Sequence, residues 1–178
     1  MSVKKILRLG HPVLREIAKS VPDQDINSMY IQNTISNMID TLEESGGIGL
    51  AAPQIGESLR IVIVKIPAGN SKAYGELAEV PLSIFINPII TPVGKETASH
   101  WEGCLSIPGL RGLVSRPQHI MFKFQSPYEK QENKEIRGFL ATVLQHESDH
   151  LDGKLYVDHL ADTRNLAYEE EYTEFIVR

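Results

Sequence analysis

Between Asn27 and Glu43 the apolar residues fall at Ile31, Ile35, Met38, Ile39 and Leu42. That i, i+4, i+7, i+8, i+11 spacing predicts an amphipathic helix with one buried stripe. Its other positions are rich in Asn, Ser and Thr, so packing rather than intrinsic propensity must hold it, and Gly46-Gly47 ends it. A second helical pattern runs from Gly138 to Leu151 and closes at Gly153. Elsewhere the period shortens. Arg60 to Ile66 (RIVIVKI) and Leu82 to Ile86 (LSIFI) read as strands, one of them largely buried, and Ile120 to Phe124 alternates around Lys123 as a half-buried strand does. Pro67 to Pro81, which contains Gly, Pro and Ser, reads as a loop between the first two strands. Strands around two helices, without regular β-α alternation, predict an α+β domain.

A chain of 178 residues with no internal repeat and no low-complexity tract is expected to form one domain, residues 1 to 178. The apolar fraction of 42% and charged fraction of 23% are those of a soluble globular protein. A net charge of −5 leaves no excess of cations to neutralise phosphates, which argues against DNA binding. A single cysteine, Cys104, excludes an intramolecular disulfide. No apolar run approaches the ~18 residues of a membrane span. The basic N-terminus, Met1 to Arg8, lacks the apolar core of a signal peptide, so a reducing cytoplasm is the expected location.

The sharpest chemical signal is His146-Glu147-Ser148-Asp149-His150 in the second helix. Histidines four apart stand one above the other on a helix face and can grip a single cation. At about 100° per residue, Glu147 falls to one side of the pair and Asp149 to the other. Glu147 is therefore placed as a general base beside the ion rather than as a ligand. The plainer reading is a pair of surface histidines among helix-favouring neighbours. Phe139 and Val143 lie on the same stripe as the histidines, so the metal face continues into an apolar wall suited to a hydrophobic side chain, whereas Leu140, Leu144 and Leu151 form an adjacent core stripe.

A catalytic site of this kind needs a third protein ligand. The extended zinc-protease pattern reaches Gly153 but then places Tyr156 where its last histidine belongs. The other source is Cys104, a strong thiolate ligand if it is not simply a small buried hydrophobe. Metal-bound histidines usually donate their second N–H to a carboxylate or carbonyl, and Glu102 and Asp149 are both available, with Arg116 to balance their charge. The segment Gly47 to Gln54 (GIGLAAPQ) admits three readings. A phosphate loop lacks its Lys-Ser/Thr pair and following helix, a plain helix-to-strand turn accounts for much of the glycine, and a substrate-side edge would use the small residues for close backbone approach.

Three separated motifs, in order and with fitting spacing, resemble those of peptide deformylases. Gly47-Ile48-Gly49-Leu50-Ala51-Ala52-Pro53-Gln54 is similar to that family's G-x-G-x-A-A-x-Q, Glu102-Gly103-Cys104-Leu105-Ser106 to its E-G-C-x-S, and Gln145 to Gly153 to its Q-H-E-x-D-H-L-x-G. Leu9 to Arg15 (LGHPVLR) adds to a likeness that covers about residues 3 to 160. The resemblance implies mixed, mainly antiparallel sheets packed around a central metal-binding helix. It implies one divalent metal ion on Cys104, His146 and His150, most often Fe²⁺, with Zn²⁺ or Ni²⁺ as substitutes. It also implies that Glu147 is the acid/base and that the Gln54 side chain and Leu105 N–H hold the formyl oxygen. The implied reaction removes formate from N-formylmethionyl nascent peptides, with the ribosome as a transient partner and a monomeric enzyme.

Combining resemblance and helix stripe places Ile48, Gly49, Gly103, Phe139, Thr142 and Val143 around the substrate, with His100 and Trp101 at the mouth of the methionine pocket. A zinc endopeptidase is the rival enzyme, weakened by Tyr156, and a silent metal or formyl-peptide binding module is the rival non-enzyme, weakened by Glu147. Ser126 to Arg137 is highly charged and has no glycine at which a hairpin would turn. Asp162 to Arg178 follows no recognisable pattern: Glu169-Glu170-Glu171 reads as a solvated acidic face, and Phe175-Ile176-Val177 as an apolar end able to dock.

Overall fold

Ser28 starts the first helix, α1 (Met29–Ser45), in a computed structural model that describes residues 2–71, 75–128 and 131–177. The Ser28 hydroxyl accepts the Ile31 N–H at 3.3 Å, and Gly46 ends the helix in the left-handed region at φ 66°. The helix thus begins after Ser28 rather than at Asn27. The chain continues through β1 (Gly49–Ala51), β2 (Ile61–Ile66), β3 (Gly69–Ser71), β4 (Gly75–Leu77) and β5 (Val80–Pro92). Then follow β6 (Thr97–Cys104), β7 (Ile107–Pro117), β8 (His119–Gln125), β9 (Gln131–Arg137), the helix α2 (Phe139–Leu151) and β10 (Leu166–Tyr168).

One sheet has the order β1-β2-β5-β8-β9, a second β10-β7-β6, and β3 and β4 form a two-stranded pair. Every ladder between described strands is antiparallel, and an isolated bridge between Lys19 and Leu59 adds a parallel contact. The fold is α+β with antiparallel sheets.

The run RIVIVKI explains how the two helices are placed. Successive strand side chains point to opposite faces. Ile61 and Ile63 join Ile86 against Ile31, Ile35, Met38 and Leu42 of α1. Val62, Val64 and Ile66 face the other way, toward Ala141, Leu144 and Leu151 of α2 and Ile120, Phe122 and Phe124 of β8. A strand covered on both faces reads as a continuous apolar run, and each such buried side chain contributes roughly 1.5–3 kcal/mol. Helix α2 touches β1, β2, β5 and β9 of the large sheet and β7 of the smaller one. Gly153 turns the chain away from α2 at φ +69°, where an added Cβ would lie 2.6 Å from the Arg15 carbonyl oxygen.

Several expectations need correction. The Pro67–Pro81 loop contains the β3–β4 pair, and Val80 and Pro81 already belong to β5; residues 72–74 lie outside the described residues. Backbone pairing there satisfies N–H and C=O groups without an apolar pattern to announce it. The Leu82–Ile86 strand runs on to Pro92 across a register shift. At that shift Asn87, at φ 51°, exchanges hydrogen bonds with the Val21 backbone at 2.9 and 2.8 Å. The charged stretch Ser126–Arg137 does form a hairpin arm, because β9 pairs with β8 along its whole length; residues 129–130 lie outside the described residues. At the C-terminus, β10 pairs with Leu110–Gly112, while Phe175 and Ile176 stay exposed. Tyr172, not the apolar end, is the buried anchor. Among the described residues, no helix is long and apolar enough to cross a membrane.

Candidate metal centre and active site

The β6–β7 hairpin and α2 meet at one point. Cys104 ends β6 opposite Ile107, leaving Leu105 and Ser106 as a two-residue connection, and a register shift between Glu102 and Cys104 bulges the strand at Gly103. Donor atoms of Cys104, His146 and His150 all lie within 4.8 Å of one another. Cys104 Sγ stands 3.4 Å from His150 Nε2 and accepts the Ser106 N–H at 3.4 Å. His146 turns its Nδ1 away, donating to Glu102 Oε2 at 2.7 Å, which leaves Nε2 toward the cluster. Arg116 fixes that carboxylate through Nε at 2.5 Å and Nη2 at 3.0 Å, and reaches Asp149 Oδ2 with Nη1 at 2.7 Å. His159 Nε2 closes the outer side, 2.9 Å from Asp149 Oδ2. Of the two carboxylates available to the cluster histidines, Glu102 is thus the one used, by His146, and Asp149 pairs with Arg116 and His159 instead.

These contacts set the charges. Burial disfavours the Cys104 thiolate, yet His150 and His146 together bring its pKa well below the ordinary thiol value. Burial likewise opposes a charged His146, but its hydrogen bonds to Cys104 and Glu102 raise it well above the usual imidazole range. Glu102, despite burial, is held low by His146 and Arg116. A thiolate and two imidazoles converging in this way are suitable donors for a borderline divalent cation, whose binding would displace the proton that His146 otherwise holds. Tyr156, at the place of the zinc-protease histidine, instead stacks on His146 with ring centroids 6.1 Å apart. Gly112 makes that possible, since an added Cβ would sit 2.7 Å from the Tyr156 ring.

Glu147 is buried beside the cluster, and Oε2 has no hydrogen-bond partner. Burial pushes its carboxyl up to about 6 against the opposing pull of His146 and His150. It fits only because Gly49 has no side chain: an added Cβ would lie 2.3 Å from Glu147 Oε1. Gln54 is locked across from it. Its Oε1 accepts the Ala51 N–H at 2.8 Å, which aims Nε2 at Ser106 Oγ, 3.2 Å away, and at Cys104 Sγ, 3.6 Å away.

A cavity of about 470 Å³ opens over this group, walled by Ile48, Gly49, Gln54, Gly103, Cys104, Leu105, His146 and Glu147. A smaller one of about 60 Å³ adjoins it, bounded by Ile48, Gly103, Phe139, Thr142 and Val143 together with Glu102, His146 and Glu147. The residues expected around a substrate are therefore together, with two exceptions. His100 packs edge-on against Phe139 and Trp101 against Tyr172, and neither lines these cavities. Alternation along β6 turns Trp101 to the face opposite Glu102, whereas His100 shares the Glu102 face one step back along the strand, where Phe139 covers it. Arg111 and Glu169 on the cavity rim are the residues that sequence reading missed.

A sequence model of the Polypeptide deformylase family matches residues 3–166. A peptide deformylase of Leptospira biflexa is 42% identical over 171 residues, covering 96% of this chain and 95% of that protein. Peptide deformylase 2 of Pseudomonas putida is 41% identical over 168 residues, covering 94% and 93%. Among solved structures, the class I type b peptide deformylase of Acinetobacter baumannii bound to Met-Ala-Ser superposes with a TM-score of 0.83 at 31% identity, covering 89% of this chain and 99% of that one. The Legionella pneumophila peptide deformylase does so with a TM-score of 0.78 at 36% identity, covering 92% and 89%. With the fold, the cysteine-histidine cluster and these likenesses in agreement, the chain belongs to the polypeptide deformylase family, metal-dependent hydrolases that remove the formyl group from the N-terminal formylmethionine of nascent polypeptides and release formate.

Proposed function

We propose that Cys104, His146 and His150 hold one divalent cation, Fe²⁺ in the cell and Zn²⁺ or Ni²⁺ in substituted protein, and that the adjoining cavities receive a formylmethionyl peptide. The observation that carries this reading is the convergence of the three donor atoms within 4.8 Å, beside a buried carboxylate, on the wall of a peptide-sized cavity. When bound, the ion supplies Lewis acidity that makes water nucleophilic near neutral pH.

The chain's own residues do the rest. Gln54 Nε2 and the Leu105 N–H donate to the formyl oxygen as negative charge builds there, and losing one such donor typically costs ~2.7–4 kcal/mol of barrier. Glu147 takes a proton from the attacking water and delivers it to the leaving amine nitrogen. The water oxygen bonds to the formyl carbon, the carbon–nitrogen bond breaks, and formate and a free amino terminus result. Ile48, Gly103, Phe139, Thr142 and Val143 take the methionine side chain, and the Gly49 backbone admits the peptide close to Glu147. The Met-Ala-Ser peptide bound by the Acinetobacter baumannii relative supports a linear peptide in this place. The described chain works as one catalytic domain and a monomer, in the cytoplasm, meeting its substrate at the ribosome.

The test is formate release from formyl-Met-Ala-Ser by protein purified without oxygen and supplied with Fe²⁺, since a thiolate-ligated ferrous site is exposed to oxidation. Formate release that stops in Glu147→Ala while one metal stays bound is the expected result. Folded protein with one metal and no formate release sinks the assignment. Loss of metal with Glu147→Ala instead makes that residue structural.

A further inference from the structure

The C-terminal segment reaches the rim of the cavity and holds a cation there. Arg111 of β7 lies over the Gly103 backbone, next to Cys104, in space that only a glycine leaves: an added Cβ would be 2.5 Å from Arg111 Nη1. Two residues from beyond β10 grip the same guanidinium. Glu169 Oε1 accepts from Nε at 3.2 Å and from Nη2 at 2.5 Å, and the Tyr172 ring lies 5.9 Å from Arg111 Cζ. Tyr172 in turn packs on Trp101, with ring centroids 5.3 Å apart. Both Arg111 and Glu169 line the large cavity. Their pairing is set by strand register, because Ala167, two residues before Glu169, is opposite Arg111 in the β10–β7 ladder.

We propose that Glu169 is a specificity-determining residue that neutralises Arg111, so that the cavity rim does not select for acidic side chains in the residues following the formylmethionine. A guanidinium at the mouth of a cleft that loses its carboxylate partner would attract peptides carrying Asp or Glu and repel those carrying Lys or Arg. An enzyme that must process many different N-terminal sequences gains breadth when that cation is balanced. The balancing carboxylate comes from the C-terminal segment, which gives that segment a part in substrate choice. The inference rests on the cavity being the peptide site.

The experiment measures kcat/KM for formyl-Met-X-Ser and formyl-Met-Ala-X, with X either Glu or Lys, on the metal-loaded full chain and on Glu169→Gln. Removing the carboxylate should raise the Glu-to-Lys preference about fivefold at one or both positions, the scale of an exposed ion pair of ~1 kcal/mol. The raised preference should fall with added salt, return to the parent value in Glu169→Asp, and vanish in the Arg111→Gln, Glu169→Gln double variant. A change under threefold at both positions overturns the proposal, as does a preference that survives in the double variant. Loss of formate release from every peptide by the parent protein would overturn the peptide-site reading as well, whereas release with unmoved preferences overturns only the charge balance.

Discussion

Replacing Gly49 with alanine tests the Glu147 assignment without replacing a carboxylate or a ligand. The new Cβ would lie 2.3 Å from Oε1, 2.7 Å from Cδ and 2.8 Å from Cγ of Glu147, whereas ordinary contact begins at 3.4 Å. The carboxylate must therefore retreat by about 1 Å, and a misplacement of that size can cost on the order of 100-fold in rate. Overpacking of a filled site adds an expected ~1–3 kcal/mol of destabilisation. The three nearest atoms to the new methyl all belong to Glu147, and metal content reports whether the neighbouring cysteine-histidine cluster is kept. Single-turnover formate release, metal content and a thermal melt on the same preparation separate these effects. The expected result is one bound metal, a modest loss of melting temperature and a fall in rate near two orders of magnitude. Activity within threefold of the parent protein, in a folded variant with full metal, would refute the placement of Glu147 as the proton carrier.

Val143→Ala removes two methyl groups from the small pocket, at ~0.8 kcal/mol each, so kcat/KM for formyl-Met peptides should fall by roughly tenfold; unchanged kinetics would take Val143 out of the pocket. Arg116→Ala leaves Glu102 and Asp149 without their shared cation in a nearly buried setting, and should cost ~3–5 kcal/mol. At ~2–4 °C per kcal/mol, calorimetry should register a drop of about 10 °C, and a drop under 3 °C would contradict the reading. Asp158→Asn removes a carboxylate that burial disfavours but that Arg15 and the Leu155 N–H hold below its ordinary value of 3.8. The stability difference from the parent should be present above that pH, at under ~1 kcal/mol for so exposed a pair, and fade as pH falls through the depressed pKa. A difference that grows in acid would reverse the assigned sign.

The helices and the ligand-bearing motif were legible because their patterns answer to the core. Ile31, Ile35, Met38 and Leu42 repeat at helical spacing since one face meets β2, and His146 and His150 share a face for the same geometric reason. The β6–β7 hairpin was not legible as strands. Its buried residues include Glu102 and Arg116, which are inside because they neutralise each other rather than because they are apolar. A pattern method sees such residues as surface. Arg111 and Glu169 were out of reach for a different cause: they are 58 positions apart, and only the pairing of β10 with β7 brings them together. Phe175 and Ile176 stay uncovered on this chain, because apolarity alone does not say whether a surface is available to cover them.

Cys104 and His150 lie 46 residues apart, one on a hairpin and the other on a helix. An ion that requires all three donors can bind only where those two pieces are already docked, so its binding free energy becomes part of the folding equilibrium. At a free ion concentration 100 times the dissociation constant, the native state gains ~2.7 kcal/mol. With the ion held as proposed, the lifetime of the protein in a cell would follow metal supply: a cell short of the ion would lose enzyme to unfolding and proteolysis as well as to idle active sites.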